Sequence, residues 1–186
     1  MYPINDIFIK RWSPRAMSGK DITQQELMTL FEAAHWAPSS FNNQPWRFIY
    51  AHRNTPHWDL LFNLMVPGNQ EWAKNAAVLI VVISHNNFEY NNKPARTHSF
   101  DSGSAWMSLA LQATFMNLVA HGMQGFDYDK ARKDLQVPDD YTVEAMIAVG
   151  HHGSLDVLSE KLQKSETPSD RKKVEEVIFE GTFTVK

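Results

Sequence analysis

A run of uncharged polar residues between Pro38 and Pro45 is the part of the sequence best suited to bind a flat polar ligand. Pro38 ends the helix predicted before it, because a residue that precedes proline is pushed out of the α-helical region. The run presents closely spaced hydroxyls and amides, which belong to Ser39, Ser40, Asn42, Asn43 and Gln44. Such donors and acceptors can face a neutral ring that has many heteroatoms. On residue chemistry alone, an ordinary polar turn is the simpler interpretation.

Arg11, Ser13 and Arg15 alternate along the chain near its start. In an extended segment, alternate side chains point the same way, so two guanidinium groups and one hydroxyl would share one side. Arginine forks match the oxygens of a phosphate monoester, and the hydroxyl adds a further hydrogen bond. The segment therefore suits phosphate binding, although a solvated turn with two surface arginines is the simpler interpretation of these residues alone.

Other motifs point away from several classes of site. The eight histidines include no H-x-x-x-H pair, and the adjacent His151 and His152 would point to opposite faces of a strand. No P-loop, G-x-S-x-G or G-x-G-x-x-G motif follows a predicted strand, so a nicotinamide would not bind through a Rossmann turn. His121 could face a ligand or be a hydrogen-bonded core histidine, and the sequence leaves both open.

The composition predicts one globular domain over residues 1–186. A hydrophobic content of 43% and a charged content of 21% argue against disorder. The formal charge of −3 offers no basic excess, so we expect no nucleic-acid partner. The chain contains no cysteine, which excludes disulfides and thiol catalysis. With no visible signal peptide or membrane-spanning run, we expect a cytoplasmic protein without a membrane partner.

The spacing of apolar residues predicts several helices. Thr23 and Glu26 fit a capping box that opens an amphipathic helix, which leads to the loop between the two prolines. Residues 102–121 predict a long, buried helix that ends at the glycines of residues 122–125. Shorter helices are predicted near residues 5–11, 57–65 and 129–135.

Strands are predicted where apolar residues alternate or run continuously. Residues 46–50 alternate, whereas residues 76–83 and 145–150 are continuous apolar runs typical of strands covered on both faces. Residues 177–179, within 174–185, also have a strand-like composition. Residues 85–99 are polar and irregular, which predicts a mobile loop or lid.

Four blocks of sequence, in order along the chain, resemble those of the flavin-dependent nitroreductase family. They read RWSPR at residues 11–15, APSSFNNQPWRF at 37–48, GFD at 125–127 and DRKKVEEVIFEG at 170–181. Each block is weak alone, but four in register extend over nearly the whole chain. The sequence departs from the family at Asn117-Leu118, where Gly-Leu is frequent late in the long helix, and we expect local helix packing to differ there.

The resemblance implies an α+β sandwich: a mainly antiparallel sheet of four or five strands with helices on both faces. It also implies an intertwined homodimer with two FMN molecules at the interface, the long helix at its core and the C-terminal segment around the partner. One subunit would contact the flavin phosphate and ribityl chain through Arg11, Trp12, Ser13, Arg15 and Arg171. The other would contribute Pro38, Ser39, Ser40 and Asn42. The flavin pyrimidine edge would meet Asn69, Gln70 or Lys74, with no choice among them, and N5 would meet backbone groups at Gln124 and Gly125.

The resemblance further implies an oxidoreductase that uses NADPH or NADH in ping-pong hydride transfer. Nitroaromatics, quinones and free flavin are all plausible small-molecule acceptors. No residue is needed as a nucleophile or general base, because the flavin carries the chemistry. Two alternatives remain open: a flavin-binding protein without turnover, and a flavin-free structural helical dimer.

Overall fold

The computed structural model describes residues 2–183. Within this range the chain forms seven α-helices and four β-strands, in the order α1 (Ile7–Lys10), α2 (Gln24–His35), β1 (Trp46–His52), α3 (Trp58–Phe62), α4 (Pro67–Ala73), β2 (Val78–His85), α5 (His98–Phe115), β3 (Leu118–Met123), α6 (Tyr128–Asp134), β4 (Tyr141–His151) and α7 (Glu160–Gln163). Short 3-10 turns lie at Ser40–Asn42, Leu155–Val157 and Val174–Glu176. None of the helices described is long and apolar enough to cross a membrane.

The four strands form one antiparallel sheet in the order β1-β2-β4-β3. The central strands β2 and β4 place Ile80 opposite Ile147, and both side chains are almost fully buried. β2 has a continuous apolar sequence because helices cover both of its faces. The predicted α+β class, with an antiparallel sheet between helices, is confirmed.

Alternate residues of β2 enter two different hydrophobic cores. Ile80 packs with Leu27 of α2 and Leu109 of α5 on one face of the sheet. Leu79 belongs to the core on the other face, where Trp72 of α4 lies. Each fully buried side chain of this size contributes about 1.5–3 kcal/mol to folding. The first core therefore holds α2 and α5 firmly on the sheet, and the second holds α4 on its other face.

The predicted capping box opens α2, and a loop with unusual backbone conformation follows this helix. Thr23 Oγ1 accepts the N–H of Glu26 at 3.1 Å, and Glu26 Oε2 accepts the N–H of Thr23 at 2.7 Å. In the loop, Phe41, Asn42 and Gln44 have φ angles of 52°, 53° and 47°. Residues other than glycine rarely adopt such angles, so contacts around the loop must hold it in place.

The prediction of one helix over residues 102–121 is wrong at its end. α5 stops at Phe115, and Leu118–Met123 is the edge strand β3, paired with β4. Asn117 permits the change, because it takes a φ of 56°, in the left-handed region that ends helices and that asparagine tolerates. An apolar run can suit a helix or a buried strand, and here strand pairing decides. Gly122 and Met123 consequently lie in a strand, not in a turn after a helix.

The strand predicted at residues 177–179 is also absent. Val174–Glu176 forms a 3-10 turn, and residues 177–183 have no strand partner within the part of the chain that the structure describes. The apolar side chains of this segment, including Val177 and Ile178, are exposed. The prediction for residues 184 and 185 lies outside the described residues.

Most other predicted elements are present with shifted bounds. β1 extends to His52, β4 begins at Tyr141, and the helix predicted over residues 57–65 covers only Trp58–Phe62. Pro67 begins a further helix, α4, because proline is favoured in the first helical turn. The polar loop is shorter than predicted, since β2 runs to His85 and α5 starts at His98.

Candidate functional site

A cavity of about 740 Å³ lies between α5, the sheet and the two ends of the chain. Gly122 of β3 and Ile147 of β4 contribute to its floor. Trp106 of α5 also lines it and packs against Gly122, where an added Cβ would lie 3.0 Å from the Trp106 ring. Gly122 therefore lets the Trp106 indole pack directly against β3, and a side chain at this position would have to push that indole away.

One end of this cavity is cationic. Arg11, Ser13 and Arg171 line it, although Arg171 is 160 residues from Arg11 in the sequence (171 − 11). Burial, and then the positive charge of Arg171, lower the pKa of Arg11 below its ordinary value. Arg11 Nη1 also donates to Ser13 Oγ at 3.4 Å. Two neighbouring guanidiniums and a hydroxyl form the donor set that a phosphate monoester requires.

Arg15, predicted to join this group, has a different main contact. Its backbone N–H and that of Ala16 donate to Glu166 Oε1 at 2.5 and 2.8 Å. Its guanidinium Nη1 lies 3.8 Å from Glu166 Oε2. Glu166 is buried although the residues around it, from 164 to 183, are exposed. This carboxylate therefore fastens the segment that carries Arg171 to the segment that carries Arg11.

His121 is a structural histidine that supports the same segment. Its Nδ1–H donates to the Pro14 carbonyl at 3.0 Å, and its ring lies 4.5 Å from the ring of Trp72. Burial lowers the pKa of His121 below its ordinary value, which favours the neutral form. Of the two alternatives that the sequence left open, the structure supports the hydrogen-bonded core histidine.

Of the three residues predicted for the pyrimidine edge, one contacts Gly125 and two do not. Asn69 Nδ2 donates to the Gly125 carbonyl at 3.0 Å, and Gln70 Nε2 donates to the Phe62 carbonyl at 3.2 Å. Lys74 is exposed at the end of α4. Asn69 is thus directly beside Gly125, whereas Gln70 and Lys74 have no such contact among residues 2–183.

Gln124 and Trp12 take up different positions relative to the first cavity. Gln124 lines it directly after β3. Trp12 instead lines a second cavity of about 890 Å³, formed by α1 and the C-terminal segment. Arg11 and Arg171 line both cavities, so they stand at the boundary between the two.

The loop between the two prolines is held at the start of α5. The Ser40 N–H donates to the buried Asp101 carboxylate at 3.1 Å, and Ser39 Oγ accepts the Gln44 N–H at 3.0 Å. Pro38 and Asn42 are exposed. Of the described residues, those that line the first cavity include none of Pro38, Ser39, Ser40 and Asn42. Within one chain, this loop and the cationic end of the cavity are therefore separate.

The cavity also contains residues that the sequence reasoning missed. Glu144 and Ser99 both line it. A signal for Glu144 was present, because it is a lone acid within the apolar strand β4. Glu166 had no comparable signal, since it lies in a polar segment where an acid is ordinary.

Comparisons of the sequence with known proteins identify a family and several relatives. A family model described as "Nitroreductase family" matches residues 9–57 and 52–151. An uncharacterized 15.4 kDa protein of Mycolicibacterium smegmatis is 31% identical over 124 residues, or 66% of this chain and 82% of that protein. A Rhodopseudomonas palustris protein, provisionally named NADH dehydrogenase/NAD(P)H nitroreductase, is 24% identical over 143 residues, or 67% of this chain and 72% of that protein.

One solved structure is more similar in sequence to this chain than these two relatives are. A protein described as the oxidoreductase containing FMN has a TM-score of 0.95 and 46% sequence identity. The similarity covers 100% of this chain and 95% of that one. Because the family model matches most of the chain and the fold agrees, the resemblance seen in the four sequence blocks is confirmed. The chain belongs to the nitroreductase family.

Proposed function

We propose that this protein is an FMN-dependent NAD(P)H oxidoreductase that reduces nitroaromatics, quinones or free flavin. The observation that carries the proposal is the convergence of Arg11, Ser13 and Arg171 at one end of a cavity. The FMN named for the similar solved oxidoreductase supports the choice of cofactor. The name of the Rhodopseudomonas palustris relative supports a nicotinamide donor.

The donor set fits FMN. Arg11, Ser13 and Arg171 would hold the phosphate, because their charges and hydrogen-bond donors match its oxygens. Arg15 and Trp12 would flank that group, Gln124 and Gly125 would lie toward the ring, and Asn69 is better placed than Gln70 or Lys74 to reach the ring edge. When bound, FMN supplies hydride transfer between the nicotinamide and the acceptor.

The chain itself would provide binding and orientation. Gly125 is held in place because its carbonyl accepts hydrogen bonds from Asn69 Nδ2 and from the Val66 N–H, each at 3.0 Å. The absence of a Cβ at Gly122 leaves room for the Trp106 indole, which lines the cavity. No general base is assigned, so the catalytic contribution of these residues is positional.

We also propose that the working unit is a homodimer. Phe100 and Phe115 on α5 are 77% and 66% exposed, which is typical of a surface that another chain covers. The residues Pro38, Ser39, Ser40 and Asn42 lie away from the cavity of their own chain. A partner would bring these four residues to the cavity and complete the flavin site.

Steady-state kinetics test the proposed activity. One open face above the ring would make the nicotinamide and the acceptor bind in turn. With menadione as the acceptor at several fixed concentrations, we expect parallel double-reciprocal lines against NADPH or NADH. Intersecting lines would contradict alternate binding. If NADPH and NADH both fail to bleach the bound flavin, the protein binds flavin without turnover.

A further inference from the structure

Four polar side chains form a connected group beside the cavity, and two of them, Ser99 and Glu144, line it. Ser84 of β2 and Ser99 of α5 both donate to Glu144 Oε1 of β4, at 2.5 and 2.7 Å. His98 Nδ1 lies 2.7 Å from Ser84 Oγ and 3.4 Å from Glu144 Oε1. Two elements, β2 and α5, therefore hold the Glu144 carboxylate of β4 in one orientation.

The directions of these hydrogen bonds follow from the donors available. A serine has one hydroxyl hydrogen, and Ser84 uses it toward Glu144. His98 must then donate its Nδ1–H to Ser84 Oγ, a tautomer inferred from the network. Every contact to the carboxylate uses Oε1. Within residues 2–183, Glu144 Oε2 accepts no hydrogen bond and stays available to a ligand in the cavity.

The cavity consequently has two ends of opposite character. Arg11 and Arg171 line the cationic end. His121, which binds the segment that carries Arg11, pairs with Ala148, four residues (148 − 144) along β4 from Glu144, so Glu144 lines the cavity about 13 Å away from that pairing. The Glu144 side chain is 21% exposed, so it is partly shielded from water and reachable. A fixed, partly shielded carboxylate binds amidinium or ammonium groups through short, charge-assisted hydrogen bonds. It repels a carboxylate in the same place.

We propose that Glu144 is a specificity-determining residue, which makes this cavity prefer acceptors that carry a cationic nitrogen group beside the reducible ring. The inference rests on the proposed function, because it names the substrate class of that same site. Ser84, Ser99 and His98 act as positioning residues. They hold Glu144 Oε1, which fixes the direction in which Oε2 can accept a hydrogen bond from a ligand. A neutral acceptor lacks the charge-assisted bond, and an anionic acceptor is disfavoured.

Three probes of nearly equal shape differ mainly in net charge, so their affinities measure the charge preference of the cavity. They are para-nitrobenzamidine, para-nitrobenzamide and para-nitrobenzoate, which are cationic, neutral and anionic near pH 7. Binding is measured by equilibrium dialysis against the oxidised holoprotein without an electron donor. We expect the amidine to bind about tenfold more tightly than the amide, and the benzoate to bind most weakly.

Variants then assign the preference to Glu144. Glu144→Gln should weaken amidine binding about tenfold, leave amide binding unchanged and strengthen benzoate binding. Glu160→Gln, which removes an exposed carboxylate of α7, should change none of the three affinities. Ser99→Ala keeps the charge of Glu144 and should keep the preference for the amidine, although in weaker form.

Two results would overturn this assignment. In the first, Glu144→Gln or Ser99→Ala lowers all three affinities equally, which would mean that Glu144 only supports the shape of the cavity. In the second, the wild-type protein binds the three probes without regard to charge. Reduction of the same probes with NADPH is measured separately. If binding follows the expected order but neither the probes nor menadione is reduced, the proposed function fails while the Glu144 subsite for cationic groups stands.

Discussion

Replacing Arg171 with alanine should weaken FMN binding about ten- to a hundredfold, while riboflavin binding falls much less. The two ligands differ in the phosphate, and Arg171 lines the cavity beside Arg11 and Ser13. Its planar guanidinium can hold two phosphate oxygens at once, which lysine cannot do. Losing such charge-assisted bonds costs roughly 1.5–3 kcal/mol, which gives the stated range. Fluorescence titration of the apoprotein with each flavin measures both affinities.

Lys172→Ala is the matched control for Arg171→Ala. Lys172 is the next residue, is exposed and has the same charge, but it does not line the first cavity among the described residues. We expect its removal to leave both affinities nearly unchanged. If Arg171→Ala loses FMN and riboflavin equally, Arg171 supports the fold or the dimer and does not bind the phosphate.

Glu166→Ala should lower the free energy of unfolding by about 2–4 kcal/mol, because two backbone donors lose their partner, and should release the C-terminal segment. The carboxylate accepts the N–H groups of Arg15 and Ala16, and a buried donor left without a partner costs about 1–3 kcal/mol. Because Arg171 lies five residues further along (171 − 166), its position would no longer be fixed. We therefore expect weaker FMN binding as well. Urea unfolding and limited proteolysis measure the two effects.

Glu160→Ala serves as the control for Glu166→Ala, because Glu160 is an exposed acid on α7 in the same part of the chain. It should leave stability, proteolysis and FMN affinity unchanged. Should Glu166→Ala show wild-type stability and an equally protected C-terminal segment, the contact with Arg15 and Ala16 does not fasten the two chain ends together.

The secondary structure could be predicted wherever local pattern and tertiary packing agree. Thr23 and Glu26 show this agreement, since a capping box is complete within one helical turn. The prediction of one helix through Asn117 failed because local pattern and tertiary packing disagree there. Residues 118–121 are apolar enough for a helix, and only pairing with β4, more than twenty residues later, makes them a strand. The exposed segment after Glu166 has no such partner among residues 2–183, so its composition misled the strand prediction.

The candidate site could be predicted only in part, for the same reason. Arg11 and Ser13 are neighbours in the sequence, and the family resemblance added Arg171 and Gln124, which line the same cavity. Glu144, Ser84 and His98 meet through strand register and the start of α5, which no local pattern encodes. Glu166 contacts Arg15 across 151 residues. Long-range contacts between ordinary polar residues leave no local pattern in the sequence, so only the fold identifies them.

Sedimentation velocity recorded at both a protein and a flavin wavelength tests the central claim most directly. The claim is that an FMN site begins at Arg11 and Arg171 and is completed by the Pro38–Asn42 loop of a second chain. We expect a yellow protein whose flavin absorbance sediments entirely with a dimer, at about one FMN per chain once the released chromophore is identified. A colourless dimer, or a monomer that retains FMN in that ratio, would contradict the account.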